Sequence, residues 1–265
     1  EKIQKNTSTM IPDQQFLSQE QVATTVLTLA DDEQAKILNG KVIPGDRVFY
    51  PVKSHIRASV PMIEKNNFNG KKCMVTHSDQ GDTEPKVSNK ISEMIRVKGA
   101  NLIVTKEDFG NQPLDLLICD TGNIPDNFPK LTELSRYDWD SLVNQFIVTP
   151  AVITRQAMDN FVPGGSDDPR LFKDGKGRIV IIGPALPVGK KISGHERAKV
   201  EVFRGALRPF VTTINQELSD VLKSNIRVFL ILPGTVDGKE PNNENIVNTI
   251  NYLVSDEAAS SSEVI

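Results

Sequence analysis

The sequence has little of what redox, metal or disulfide chemistry needs. Only two cysteines occur in 265 residues, Cys73 and Cys119, and both sit inside apolar runs. That excludes a disulfide framework and reads them as reduced core residues, neither paired nor ligating a metal. Histidine is as scarce: His55 and His77 stand alone, with no second His or acid at ligand spacing, so both read as loop or surface residues and no metal site is expected. Neither sign of charge dominates, with 31 Lys+Arg against 34 Asp+Glu and a formal net charge of -3, so the footprint of a nucleic-acid or membrane-surface binder is missing. No apolar run approaches the roughly 18 residues of a membrane span, and no basic-then-apolar leader opens the chain. A cytoplasmic location is the expectation. The chain starts at Glu1 without an initiator Met, which suggests a processed chain or an excised fragment. What is present, 38% hydrophobic and 25% charged residues, is the composition of an ordinary folded protein.

Residues 1–18 are polar and aperiodic and read as a frayed end. From Gln19, Val22, Val26, Leu27 and Leu29 fall at helical spacing, and a short strand follows over 41–43. Prolines at 44, 51 and 61 then break the chain, and 51–68 reads as a linker. Beyond it, apolar runs at 73–76, 102–104, 114–119, 178–182 and 227–232 alternate with helical patterns at 87–95, 138–159 and 194–222. Strands alternating with helices predict right-handed βαβ units and a doubly wound, Rossmann-like α/β fold with a parallel sheet.

One internal similarity organises the chain. Residues 21–33, ending in the strand Lys41-Val42-Ile43, match residues 245–257, ending in Glu263-Val264-Ile265: an amphipathic helix, an acidic cap and a short strand each time. The expected layout is therefore a tail of a preceding module (1–50), a linker (51–68) and a second, nearly whole module (69–265). Residues 20–50 are expected to dock as helix plus strand, either on this module's edge or in exchange with a neighbouring copy.

Three motifs in order are Gly177-Arg178-Ile179-Val180-Ile181-Ile182-Gly183, His195-Glu196-Arg197-Ala198-Lys199, and Ile226-Arg227-Val228-Phe229-Leu230-Ile231-Leu232-Pro233-Gly234. From Gly70 to the end the chain thereby resembles the short-chain dehydrogenase/reductase superfamily. The resemblance implies a first strand leading into a glycine-rich turn that holds a dinucleotide pyrophosphate, and a Ser, Tyr, Lys and Asn that perform hydride transfer. Position by position, this chain departs from that pattern. The turn reads Thr76-His77-Ser78-Asp79-Gln80-Gly81-Asp82-Thr83-Glu84, with only Gly81 to allow close approach and with Asp79, Asp82 and Glu84 where a dianion belongs. The usual Asn-Asn-Ala-Gly reads Cys119-Asp120-Thr121-Gly122. Only the eight residues 106–113 separate the second and third strands, too few for the helix, strand and helix the family places there. At the catalytic positions stand Pro184 for the Ser, His195 for the Tyr, Lys199 for the Lys and Asn144 for the helix Asn. Proline offers no side-chain donor. Thr76, Gly81 and Gly122 remain as a vestigial turn, and neither a cofactor nor a catalytic residue is expected in this segment.

A preceding module's tail running into a reductase-like unit without its glycine motif resembles the layout of the bifunctional malonyl-CoA reductases, in which active and degenerate reductase modules are interleaved. For the parent chain the resemblance implies NADPH-dependent reduction of malonyl-CoA through malonate semialdehyde to 3-hydroxypropionate, and for this segment a structural or assembly role. Two alternatives stay open: an atypical active reductase working through His195 and Lys199, and a ligand sensor. The helices over 138–159 and 194–222 match the usual dimer interface of the superfamily. Their Phe146, Val152, Ile153, Phe203, Leu207, Phe210 and Ile214 exceed one core-facing stripe, so these helices are expected to pair with a neighbouring module or a second copy.

Overall fold

The computed structural model describes residues 19–20, 23, 26–27, 65–78, 87–103, 113–124, 129–162, 169–186, 194–234, 243–255 and 258. The chain divides into two compact units, Glu1–Ala58 and Ser59–Ile265. In the first, residues 19, 20, 23, 26 and 27 are helical, as the spacing there predicts, while the strand expected at 41–43 lies outside the described residues.

The second unit is built on a parallel sheet of β1 (Lys72–His77), β2 (Asn101–Ile103), β3 (Leu116–Asp120), β4 (Lys176–Ile182) and β5 (Asn225–Ile231), in the order β2-β1-β3-β4-β5. The register is continuous across the centre: Cys73 pairs with Leu116, Leu116 with Arg178, and Arg178 with Arg227. Burial on both faces explains why β3, β4 and β5 read as apolar runs. Leu117, Cys119, Ile179, Ile181, Val228 and Leu230 point into the core on one face, while Leu116, Ile118, Val180, Ile182, Phe229 and Ile231 point into the core on the other. A strand covered on both sides carries a polar position only where that group finds partners, as Asp120 and Arg178 do. Each such side chain contributes about 1.5–3 kcal/mol on burial. Among the described residues no strand lies beyond β2, and none lies between Ile103 and Leu116.

On the second of those faces lie α1 (Val87–Val97) and α5 (Asn243–Val254), packed through Ile91, Ile95, Ile246, Val247, Ile250 and Leu253. Gly99, at φ 88°, ends α1: the Ala100 N–H donates to the Ile95 carbonyl and the Gly99 N–H to that of Arg96, a closure that needs the left-handed conformation glycine tolerates. On the other face lie α2 (Arg136–Val143), α3 (Thr149–Met158) and α4 (Gly194–Gln216). Ser135 and Asp138 cap α2 reciprocally, each side chain accepting from the other's backbone N–H.

Several boundaries differ from expectation, for identifiable reasons. The helix expected over 138–159 is divided by a π-helical turn, Asn144–Val148, in which the Thr149 N–H donates to the Asn144 carbonyl five residues back. Pro150 follows at once, and it can neither donate to the Phe146 carbonyl nor pack its ring against it, so the helix widens ahead of it. The helix expected to reach 222 ends in another π turn, Glu217–Val221. Strands β4 and β5 each begin two residues earlier than the apolar runs, because Lys176 and Asn225 pair across the ladder though neither is apolar. His77, expected in a loop, is the last residue of β1.

Two further details differ from the sequence pattern. The linker read over 51–68 is not a linker at its end. Phe68 is fully buried in the core cluster that holds Ile95 and Leu253, the Asn67 N–H donates to Asn251 Oδ1 at 2.8 Å, and Asn251 Nδ2 donates to the Lys65 carbonyl at 2.9 Å. The apolar excess of the long helices is also consumed within the chain: Phe146, Ile153, Phe203 and Leu207 are buried, and Phe210 and Ile214 pack against the core. Phe146 and Phe203 stack at 5.1 Å between ring centroids and join α4 to the π turn. Of the seven residues, Val152 alone is exposed. Among the described residues no helix is long and apolar enough to cross a membrane.

Candidate functional site

In an open parallel sheet, ligands bind outside the carboxyl ends of the strands where the strand order reverses. Here the chain leaves β1 for β2 on one side and returns to β3 on the other, so the reversal lies between β1 and β3. Four segments meet at that edge: Thr76 to Ser78 from β1, Asp120 to Asn123 from β3, Gly183 to Leu186 after β4, and Leu232 to Gly234 after β5.

Asp120 dominates the reversal point. It is 5% exposed; its Oδ2 accepts the Ser88 N–H in the first turn of α1 at 3.0 Å, and its Oδ1 accepts the Gly122 N–H at 3.0 Å. Its carbonyl accepts the Ser78 N–H at 2.9 Å. A helix begins with backbone donors that have no partner inside the helix and with the positive end of its dipole, and both favour an anion. In this chain the anion is supplied by the neighbouring strand. Gly122, at φ 73°, lets the backbone turn back onto that carboxylate.

The remaining loops are sewn to one another. Thr121 Oγ1 donates to the Ile182 carbonyl at 3.0 Å, Gln145 Nε2 donates to the Thr121 carbonyl at 2.9 Å, and the Ala185 N–H donates to Asn123 Oδ1 at 2.9 Å. Thr76 is buried at the end of β1. Gly81, Asp79, Asp82 and Glu84 lie outside the described residues. Pro184 follows β4 and presents its carbonyl to a guanidinium. Lys199 is buried on α4. His195 belongs to the first turn of the same helix, and its side chain lies outside the described residues. Asn144 opens the π turn with its side chain exposed. The structure thus gathers Thr76, Asp120, Gly122 and Pro184 at one edge and leaves the Asn144 side chain facing solvent.

Sequence patterns gave no warning of Arg204. It is 6% exposed on α4, and its Nη1 donates to the Pro184 carbonyl at 2.8 Å and to the Pro233 carbonyl at 2.7 Å, while Nη2 donates to the Leu232 carbonyl at 3.3 Å. One guanidinium therefore joins the loops after β4 and β5. The only available signal was an arginine at a spacing that faces the core, a position a charge occupies only with partners.

Both thiols are free and buried. Burial first, and the Asp115 carboxylate second, push the Cys73 thiol up to about 12; burial and then Asp120 do the same to Cys119, also to about 12. Neither is a nucleophile at neutral pH. Unfolded thiols ionise near pH 9.0 and these only near pH 12, so between those values the unfolded chain holds fewer protons and stability falls as pH rises. Urea midpoints measured from pH 8 to 11 should therefore decline less steeply for Cys119→Ala than for the parent chain. Parallel slopes would show that the Cys119 thiol ionises equally in both states.

No family model and no curated protein matches this sequence. Solved structures do match. A Serratia marcescens short-chain dehydrogenase/reductase variant superposes with a TM-score of 0.53 at 16% identity, over 75% of this chain and 95% of that one. The fold is short-chain reductase-like. A short chain dehydrogenase from Mycobacterium smegmatis gives 0.52 at 14% identity, over 76% of this chain and 92% of that one. A 4-hydroxyisoleucine dehydrogenase solved with NADH and succinate gives 0.52 at 19%, over 72% and 94%. In this short-chain reductase-like fold, Asp120 and Pro184 lie at the carboxyl end of the parallel sheet.

Proposed function

We propose that this chain is a reductase-fold module that does not itself transfer hydride, and that it serves as an assembly element beside active modules of an NADPH-dependent reductase of the malonyl-CoA reductase type. The observation that carries the reading is the Asp120 carboxylate on the first turn of α1. A dinucleotide pyrophosphate would have to approach the same N–H groups, and two anions at one helix terminus in a low-dielectric edge repel. The residues present do not fit a nicotinamide dinucleotide. Pro184 supplies no hydroxyl to polarise a carbonyl, and the Asn144 side chain faces solvent. The assembly role is supported by what α2, the π turn, α3 and α4 still expose after folding: Trp139, Val148, Val152 and Val202. Such apolar surface suits a neighbouring module or a second copy.

Titration with NADPH and NADH, followed by nicotinamide fluorescence and calorimetry, should show no saturation below about 100 μM. A dissociation constant in the low micromolar range, about -8 kcal/mol, would overturn the reading, since such affinity requires an organised site. Val148→Glu with Val152→Glu should lower the sedimentation coefficient of any assembly while leaving the far-ultraviolet spectrum unchanged. Lys199, buried at the family's Lys position, favours the alternative of an atypical reductase acting through His195 and Lys199. Turnover of NADPH with a carbonyl substrate, lost in Lys199→Met, would establish that alternative instead.

A further inference from the structure

The apolar stripe that α4 and the π turn after it present to the sheet, Leu207, Val211 and Leu218, is interrupted by one polar residue, Asn215. Asn215 is 3% exposed. A buried amide is costly unless its donor and its acceptor are both used, and here both are used on a single residue of β5. The Val228 N–H donates to Asn215 Oδ1 at 2.9 Å, and Asn215 Nδ2 donates to the Val228 carbonyl at 2.6 Å.

Those two backbone groups belong to the outer edge of the strand. In a parallel pair each strand turns alternate residues toward a given neighbour. The Asn225 N–H donates to the Gly175 carbonyl and the Gly183 N–H to the Ile231 carbonyl, so 225, 227, 229 and 231 bond to β4 while Ile226 and Val228 face away from it. Among the described residues no strand lies on that other side. Side chains occupy it instead. The Ile226 N–H donates to Ser224 Oγ at 3.2 Å, the Ile226 carbonyl accepts from Arg227 Nη1 at 3.0 Å, and the Leu232 carbonyl accepts from Arg204 Nη2 at 3.3 Å. At Val228 the match is closest, because a carboxamide carries the same C=O and N–H pair as a peptide bond and can satisfy one strand residue completely.

The segment so covered is also the one that most needs it. Apart from Asn225 and Arg227, β5 is an unbroken run of Ile, Val, Phe and Leu. A bare edge of that composition is a template for pairing with another chain. We propose that Asn215 stands in for a neighbouring strand's peptide and closes the outer edge of β5 at Val228, so that a second copy or a neighbouring module is kept from joining this one by extending the sheet. The inference does not depend on whether the chain transfers hydride, nor on which helix face serves in assembly.

The test uses the full 265-residue chain, isotopically labelled, with amide exchange read residue by residue at about 20 μM and about 400 μM, a range in which exposed edges associate. In the parent chain the Val228 N–H should exchange as slowly as the amides of β4 at both concentrations. In Asn215→Ala it should exchange at least about tenfold faster in the dilute sample and regain protection in the concentrated one, with a rise in sedimentation coefficient, as a second copy pairs along the opened edge. Asn215→Ser, too short to reach both groups, should behave in the same way and is read if the alanine variant does not fold. Leu253→Ala, a core change on the other face of the sheet, should show no such concentration dependence. Fast exchange at Val228 in the parent chain overturns the proposal without any variant. So does a folded Asn215 variant that keeps the parent's exchange, one that exchanges fast yet stays unassociated at the higher concentration, or equal association of Leu253→Ala.

Discussion

Gly177→Ala should be the most damaging single-methyl change in the second unit. A Cβ built there overlaps the ring of Phe161, lying 2.7 Å from its Cγ and nearer still to the ring edge. Real side chains do not tolerate such separations, and neither partner has room to yield. Gly177 is buried near the start of β4, between β3 and β5, and Phe161 is 4% exposed at the end of the short 3-10 turn Asp159–Phe161. Overpacking in a well-filled core costs about 1–3 kcal/mol and more when a rigid ring must move. A loss above about 3 kcal/mol is expected, read as a drop in the urea midpoint. The cause is isolated by Phe161→Ala, which alone creates a cavity worth about 3–5 kcal/mol. If the ring is the obstacle, the double variant will be more stable than the sum of the two losses, by well over 1 kcal/mol. Simple additivity would place the clash elsewhere.

Arg204→Met is expected to have an effect of similar size by a different route. It removes the donor shared by the carbonyls of Pro184, Pro233 and Leu232 and leaves them buried without that partner. Hydrogen bonds to a charged group contribute about 1.5–3 kcal/mol each, and the desolvation of orphaned acceptors adds to the loss. A destabilisation of about 3–5 kcal/mol follows, together with faster amide exchange at Leu186, whose N–H reaches the Pro233 carbonyl at 3.4 Å. Arg204→Lys keeps the charge but not the fork and should fall between the two. A loss under about 1 kcal/mol would mean that water replaces the guanidinium without cost, and that the two loops are not held together by it.

Much of the scaffold was readable from apolar runs, because β3, β4 and β5 are covered on both faces and each position carries the signal. The parallel order followed from strands alternating with helices. What escaped lies where one residue decides and no period exists. Phe68 is a single aromatic after a polar stretch, and it is buried in a cluster whose members, Ile95 and Leu253 among them, lie far away in sequence. Pro150 marked the π turn only in hindsight, since a proline in the first turn of a helix is ordinarily harmless. At the site, the departures from Asn-Asn-Ala-Gly were visible, but the partner that Asp120 took in α1 was not, because Ser88 lies 32 positions earlier. Arg204 looked like one more charge on an amphipathic helix.

The clamp between 65–67 and Asn251 has a consequence for how the chain matures. Its hydrogen bonds span 184 to 186 positions, so the entrance to β1 is finished only by nearly the last helix. At about 5–20 residues per second, Asn67 waits roughly 10 to 40 s after its own synthesis for the partner that satisfies it. Through that interval Phe68 and the α5 face of the sheet stay wet, and a chaperone has its longest opportunity there. A ribosome stalled before residue 243 would hold a unit whose first strand is made but whose closing contact does not yet exist.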